Sequence, residues 1–187
     1  VVSDLEQTQL KVLELLEVSG SISDIGFDLR GDYLFASHNE FVSVWNAEDL
    51  IYIGSFVIDE STHIEKIIFD PVIDSIIHII TESNIQKWLW TGSEFQQIET
   101  TFDFFDPDET TGQISASAIS NDGSLMIIVH NQHKVIVLNM ITGELIFVPQ
   151  LNSVQSDDKR IYQVDFSPDD FWLIFGTDYG FVFFMIE

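Results

Sequence analysis

Apolar and polar residues alternate with a period near two along most of the chain. "EFVSVWN" (Glu40–Asn46) and "KVIVLNM" (Lys134–Met140) place every second side chain on one face, as a β-strand does. "SIIHIIT" (Ser75–Thr81) and "LMIIV" (Leu125–Val129) are unbroken apolar runs of strand length bounded by turn residues. That pattern fits strands buried on both faces. Helix caps and stripes of 3.6-residue period are missing from residue 20 onward, so the pattern predicts an all-β fold. Before that point "LKVLELLEV" (Leu10–Val18) reads two ways. Leu10, Leu13 and Leu16 recur at helical spacing, but the segment also fits an outer strand.

The strands fall into four similar units, Ser21–Ile58, His63–Phe102, Gln113–Leu151 and Ile161–Glu187. Each runs strand, turn, strand, polar gap and strand, and all but the last continue through a second turn to a fourth strand. First turns open at Asp28, Asp70, Ser120 and Ser167, about 40 to 50 residues apart, the period of a repeat architecture. "SNDG" (Ser120–Gly123) supplies Asn, Asp and Gly where a tight reversal needs them. "SPDD" (Ser167–Asp170) presets φ with Pro168. "DPVID" (Asp70–Asp74) and "RGD" (Arg30–Asp32) serve the same purpose, and the latter reads as a turn rather than an adhesion tripeptide.

Tandem four-stranded units of this length mark a β-propeller. "FSPDD" (Phe166–Asp170), "ISNDG" (Ile119–Gly123), "FVSVWN" (Phe41–Asn46) and "MITGEL" (Met140–Leu145) resemble the WD40 repeat family, over nearly the whole chain. Asn46 stands where that family has Asp. No Gly-His dipeptide occurs, and the family's strand-three Trp is kept at Trp45 and Trp88 but replaced by Leu138 and, approximately, Met185. The resemblance therefore implies blades held by apolar packing, with the family's buried hydrogen-bond tetrads mostly missing. It implies about four blades of four antiparallel strands, at residues 20–58, 63–102, 113–151 and 161–187. Residues 1–19 would be the end of a preceding blade or a closing strand. "VVSDLEQTQ" fits a third-strand slot, with Ser3, Asp4 and Leu5 in the place of Trp-Asp-Leu. A four-blade ring closed by an N-terminal strand would then have one strand too many, which favours an arc of a larger ring.

Charge changes what such a fold is expected to meet. Seven basic against 31 acidic residues give a net charge of −24. That field repels phosphate backbones and anionic membranes and attracts cations, so direct nucleic-acid or membrane binding is not expected and a basic protein partner is. The alternative is that the acidity only keeps an apolar chain in solution. The absence of Cys excludes disulfides and thiolate metal sites and fits an intracellular setting. No apolar run reaches the roughly 18 to 20 residues that span a bilayer.

No nucleophile elbow, phosphate loop or dinucleotide fingerprint is present, so the chain is not read as an enzyme and no cofactor is expected. His130 and His133 lack further ligands at metal spacing and read as a surface loop. Asp106, Asp108 and Glu109 lack the spacing and central Gly of a calcium loop, so no metal is expected. In a propeller the connections between blades emerge on one face. Here they carry Asp59 and Glu60; Asp103, Phe104, Phe105, Asp106, Asp108 and Glu109; and Asp157 and Asp158. Aromatics beside acids suit a cationic, partly apolar peptide. The expected function is a protein-interaction scaffold with an acidic face for a basic partner, as a subunit of a complex. The alternative is a structural arc completing a propeller within a larger assembly or multidomain protein.

Overall fold

The computed structural model describes residues 21–58, 63–81, 84–103, 113–146 and 160–186. They form fifteen strands, and no helix occurs among them. The first sheet holds β1 (Asp24–Phe27), β2 (Tyr33–His38), β3 (Phe41–Asn46) and β4 (Tyr52–Val57). The second holds β5 (Ile64–Phe69), β6 (Ile76–Thr81), β7 (Asn84–Trp90) and β8 (Phe95–Asp103). The third holds β9 (Ile114–Ile119), β10 (Leu125–His130), β11 (Lys134–Asn139) and β12 (Leu145–Ile146). The fourth holds β13 (Ile161–Phe166), β14 (Trp172–Thr177) and β15 (Gly180–Met185). Each sheet is an antiparallel meander in which strands pair in chain order, as propeller blades do.

One device recurs at each first turn. Tyr33, Leu125 and Trp172 donate their backbone N–H to Asp28 Oδ1 (2.9 Å), Ser120 Oγ (2.9 Å) and Ser167 Oγ (2.8 Å), five residues earlier each time. In the second sheet Asp70 Oδ1 instead accepts from Val72 (2.9 Å) and Ile73 (2.8 Å). The side chain thus satisfies donors that the reversal would leave without a partner. These four residues are the ones at which the sequence repeat opens.

The sheets stack face to face, and the second and third use both faces. Phe35, Val42 and Val44 of the first pack on Ile67, Ile77 and Trp88 of the second. The other face of the second sheet, with Ile80 and Ile85, meets Met126, Ile128, Ile136 and Leu138 of the third. Ile127, Val129, Val135 and Val137 then meet Val164, Leu173 and Phe175 of the fourth. Burying one such side chain contributes about 1.5–3 kcal/mol. At the first junction Gly26 permits close approach, because a Cβ there would lie 2.6 Å from Phe69 Cε2.

Burial departs from the simple reading of alternation. β6 is buried at all six positions, as its unbroken apolar run implies. The alternating strand β3 is also buried on both faces, from Val42 to Trp45. Ser43 tolerates burial because its hydroxyl bonds His38 Nε2 (2.8 Å) and Ser55 Oγ. Hydrogen bonding, not exposure, accounts for the polar residue in that run.

A second departure concerns the fourth sheet. Ile186 N–H bonds Phe171 O (2.9 Å), as Met140 N–H bonds Ser124 O (2.8 Å), Trp90 N–H bonds Ser75 O (2.8 Å) and Ala47 N–H bonds Asp32 O (2.8 Å). The position of Trp45, Trp88 and Leu138 is therefore taken by Phe184, not by Met185. Phe184 packs into the junction with the third sheet, whereas Met185 points to the opposite, exposed face.

The inner strands β1, β5, β9 and β13 pack in that order around a common side. Among the described residues no comparable packing runs from the fourth sheet to the first, and the described sheets follow one another in an arc. Residues 1–19, with both readings of Leu10–Val18, lie outside the described residues.

Candidate interaction site

Strand direction decides which segments share an end of the arc. In the three four-stranded sheets the innermost strand starts, the second strand turns into the third, and the outermost strand stops at the same end; in the fourth sheet β13 starts and β14 turns into β15 at that end, and β15 stops at the other. The connections between sheets therefore leave and re-enter here. This rim is stitched by backbone bonds. Ile64 N–H donates to Asn39 O (2.8 Å), Ile58 N–H to Glu40 O (3.0 Å), Asn131 N–H to Gln113 O (2.9 Å) and Ile161 N–H to Gln132 O (2.6 Å). Arg160 N–H donates to Asp178 Oδ1 (2.8 Å), and Ser23 Oγ lies 3.2 Å from His63 Nε2.

The ten residues singled out from sequence fall, by their place in the chain, at or within the three connections between sheets. Asp103 is the last residue of β8, in register with Asn84. Asp59, Glu60, Phe104, Phe105, Asp106, Asp108, Glu109, Asp157 and Asp158 lie outside the described residues.

At the opposite end many acids are already engaged as turn acceptors. Asp122 Oδ1 accepts from the Ser120 and Ser124 hydroxyls (both 2.7 Å), which with the Ser124 N–H hold its carboxyl below the usual range. The Ser167 hydroxyl (2.6 Å) and the Phe171 N–H do the same for Asp169. Turns of neighbouring sheets are also tied together. Asp170 accepts from Asn121 N–H (2.8 Å), Asn121 Nδ2 (2.7 Å) and Asp122 N–H (3.0 Å), and Arg30 Nε lies 2.6 Å from Asp74 Oδ2. These carboxylates are structural, serving the turns that carry them.

Between the inner strands lies an open polar recess of about 440 Å³ lined by Lys66, Ser115, Ser117, Tyr162, Gln163 and Asp165. Its one cation is partly engaged, with Lys66 Nζ 3.9 Å from Asp24 Oδ1. Asp24 Oδ2 also accepts the Ile67 N–H (3.1 Å), joining the first two sheets.

Two polar pairs were not singled out by sequence reading. Ser43 and His38 have the donor–acceptor pairing of a nucleophile and its base. Both are buried within the sheet, out of reach of any substrate. The other pair is Asp70 and His78, with Nε2 at 3.3 Å from Oδ2. Burial pushes the Asp70 carboxyl up, but the N–H groups of Ile73 and Val72 and the His78 ring outweigh it and hold it low. Burial lowers His78 from the ordinary imidazole range against the pull of Asp70. A His inside an apolar run, across a hairpin from the Asp that opens it, was the available signal. His130 also differs from its reading as a surface-loop residue. It ends β10 and is buried, because the loop begins only after it. No group of three or more His, Cys, Asp or Glu suited to a metal occurs among the described residues.

No family model matches the chain, and no curated protein matches its sequence. Solved structures do match its shape. The β-propeller domain of Myceliophteria thermophila Cps50 (Swd1) superposes with a TM-score of 0.69 at 13% identity. The match covers 89% of this chain and 54% of that domain, so the chain spans about half of the domain's length. The computationally designed Ika4 protein superposes with a TM-score of 0.64 at 14% identity, over 96% of this chain and 99% of Ika4. At such identities the likeness carries the fold alone: the chain has a β-propeller fold.

Proposed function

We propose that this chain is a non-catalytic protein-interaction scaffold built of WD40-like blades, and that the rim carrying the inter-blade connections receives a basic protein segment. The observation that carries the reading is the gathering of those connections at one end of an arc whose net charge is −24. The propeller fold supports a scaffold without specifying it, since fold does not fix function. The partner is a Lys/Arg-rich tail or the basic surface of another subunit, attracted by the acidic field, in an intracellular complex. Asp103, Asp106, Asp108 and Glu109 are its principal acidic contacts, with Phe104 and Phe105 supplying apolar area.

The test is titration of a fluorescent Lys/Arg-rich peptide at rising NaCl, repeated with Asp103→Asn, Asp106→Asn, Asp108→Asn and Glu109→Gln combined. Affinity is expected to fall with salt and to fall again in the variant, since both weaken the same attraction. Affinity indifferent to both would end the proposal.

A second reading, an arc that completes a larger propeller, is favoured by a separate observation. The fourth sheet keeps one apolar face exposed, with Trp172, Phe181, Phe183 and Met185 on it.

A further inference from the structure

We propose that the chain's own N-terminal stretch, residues 1–20, folds over the outer face of the first sheet and caps that end of the arc. This goes beyond both functional readings, which concern the inter-blade connections and the fourth sheet.

The face is set by register. Ile25 and Phe27 of β1 stand on it with Ala36 and His38 of β2, Ser43 and Trp45 of β3, and Tyr52 and Val57 of β4. Its flanks are open, with Ile25 64% exposed, Phe27 56%, Tyr52 42% and Val57 47%. Its centre is not: Ala36 and His38 are 4% exposed, Trp45 2% and Ser43 1%. Bonds within the face agree with a dry centre. The Tyr52 hydroxyl donates to Ser55 Oγ (2.8 Å), Ser55 bonds Ser43, and Ser43 Oγ lies 2.8 Å from His38 Nε2. Buried hydroxyls need such partners.

Among the described residues nothing covers that strip. The first sheet meets the second through its opposite face, with Phe35, Val42 and Val44, while Ala36 and Trp45 belong to none of the three core clusters. Tyr52 touches Trp45 from the next strand (ring centroids 5.6 Å apart), but one half-exposed ring does not also dry Ala36 and Ser43. The covered strip is two strands wide, about 10 Å. That is the width of one helix or one strand pair, not of a four-stranded sheet.

Sequence selects the occupant. Residues 59–62 (Asp-Glu-Ser-Thr) and 82–83 (Glu-Ser) offer no apolar side chain. Residues 104–112 and 147–159 are tied at both ends to sheets two, three and four. Residues 1–20 instead lead directly into β1, and Ser23 N–H bonds Ser37 O (2.9 Å) on β2, at the border of the strip. From there ten residues reach roughly 30 Å, more than the width of the sheet. In Leu10–Val18 six apolar side chains are interrupted by Lys11, Glu14 and Glu17, so one side can lie on the sheet while the other meets water. An end unit with an apolar inner side and a polar outer side is what a stacked array needs to stay in solution.

The chain has no Cys, so an introduced thiol reports without background. The test compares the reaction of Ala36→Cys, under the strip, with that of Ile25→Cys, on the open flank, toward a thiol reagent. In the full chain the thiol of Ala36→Cys is expected to react at least about tenfold more slowly, because it waits for the cover to lift. Adding Leu13→Glu with Leu16→Glu is expected to abolish that protection, with slow amide exchange in β6 and β10 reporting that the sheets are intact. Equal rates in the full chain overturn the proposal. So does protection that survives the two Glu substitutions, which would assign the cover elsewhere. Should those substitutions unfold the chain, a second measurement decides. A bis-maleimide long enough to span the strip is applied at high dilution to Leu13→Cys combined with Val57→Cys, and to Leu13→Cys combined with Ile25→Cys. A link within one chain is expected in at least one pair. Links between chains alone would make the cover a second copy, and no link at all would place residues 1–20 away from this face; either result overturns the proposal.

Discussion

His78 is the residue at which burial, charge and fold are most tightly linked. It faces Asp70 across the β5–β6 hairpin and is cross-strand from Lys87. Burial holds its imidazole below the ordinary range, Lys87 adds to that, and Asp70 only partly restores it. The unfolded chain takes up a proton near the ordinary value of about 6.5, which the folded chain refuses until lower pH. More protons on the unfolded state mean stability that is lost as pH falls. Asp70, held below the usual carboxylate range, adds a loss of the same sign further into acid. Urea unfolding between neutral pH and mild acid should therefore show falling stability, and His78→Gln should flatten that dependence. An unchanged slope in the variant would remove His78 as its source.

At the scale of elements, the junction between the first two sheets is the most aromatic part of the molecule. Trp90 on β7 has its ring centroid 5.0 Å from Phe95, 5.5 Å from Phe56, 5.6 Å from Tyr33 and 5.8 Å from Phe35. It joins strands of both sheets, so truncation loses transfer energy and leaves a cavity between two rigid sheets. Trp90→Ala is expected to cost about 3–5 kcal/mol, measured by denaturant unfolding. A loss below about 1 kcal/mol, the level of an exposed position, would show that the junction repacks freely. Sequence reading recognised the strands and the turns between them because both signals are local. It misplaced the strand-three residue of the last sheet by one, at Met185 instead of Phe184. In "GFVFFMIE" apolar residues occupy both faces, so periodicity alone does not say which face meets the neighbour.

At the scale of the whole molecule, the core clusters of the described residues each join two sheets adjacent in sequence, so stability is shared between adjacent junctions rather than spread over one core. Sheets two and three are packed between neighbouring sheets on both faces, whereas the fourth sheet leaves Trp172, Phe181, Phe183 and Met185 of one face exposed. Amide exchange should therefore be slowest in β6 and β10 and fastest in β15. Equal protection in β15 and β6 under conditions where the chain is monomeric would contradict an open arc. The acidic connections belong to this scale too. Their common end follows from strand direction, while the engagement of Asp28, Asp122 and Asp169 at the far end does not follow from composition.

By itself the sequence determined the all-β class, the four-fold repeat and the residues that open each first turn. These depend on side-chain period and on hydrogen bonds between residues a few positions apart. Only the tertiary structure decided that alternating strands are buried on both faces, that Asp70 and His78 meet, and which face of each sheet packs on its neighbour. Those outcomes depend on which face of a sheet finds a neighbour, a relation between residues far apart in the chain that no local pattern encodes.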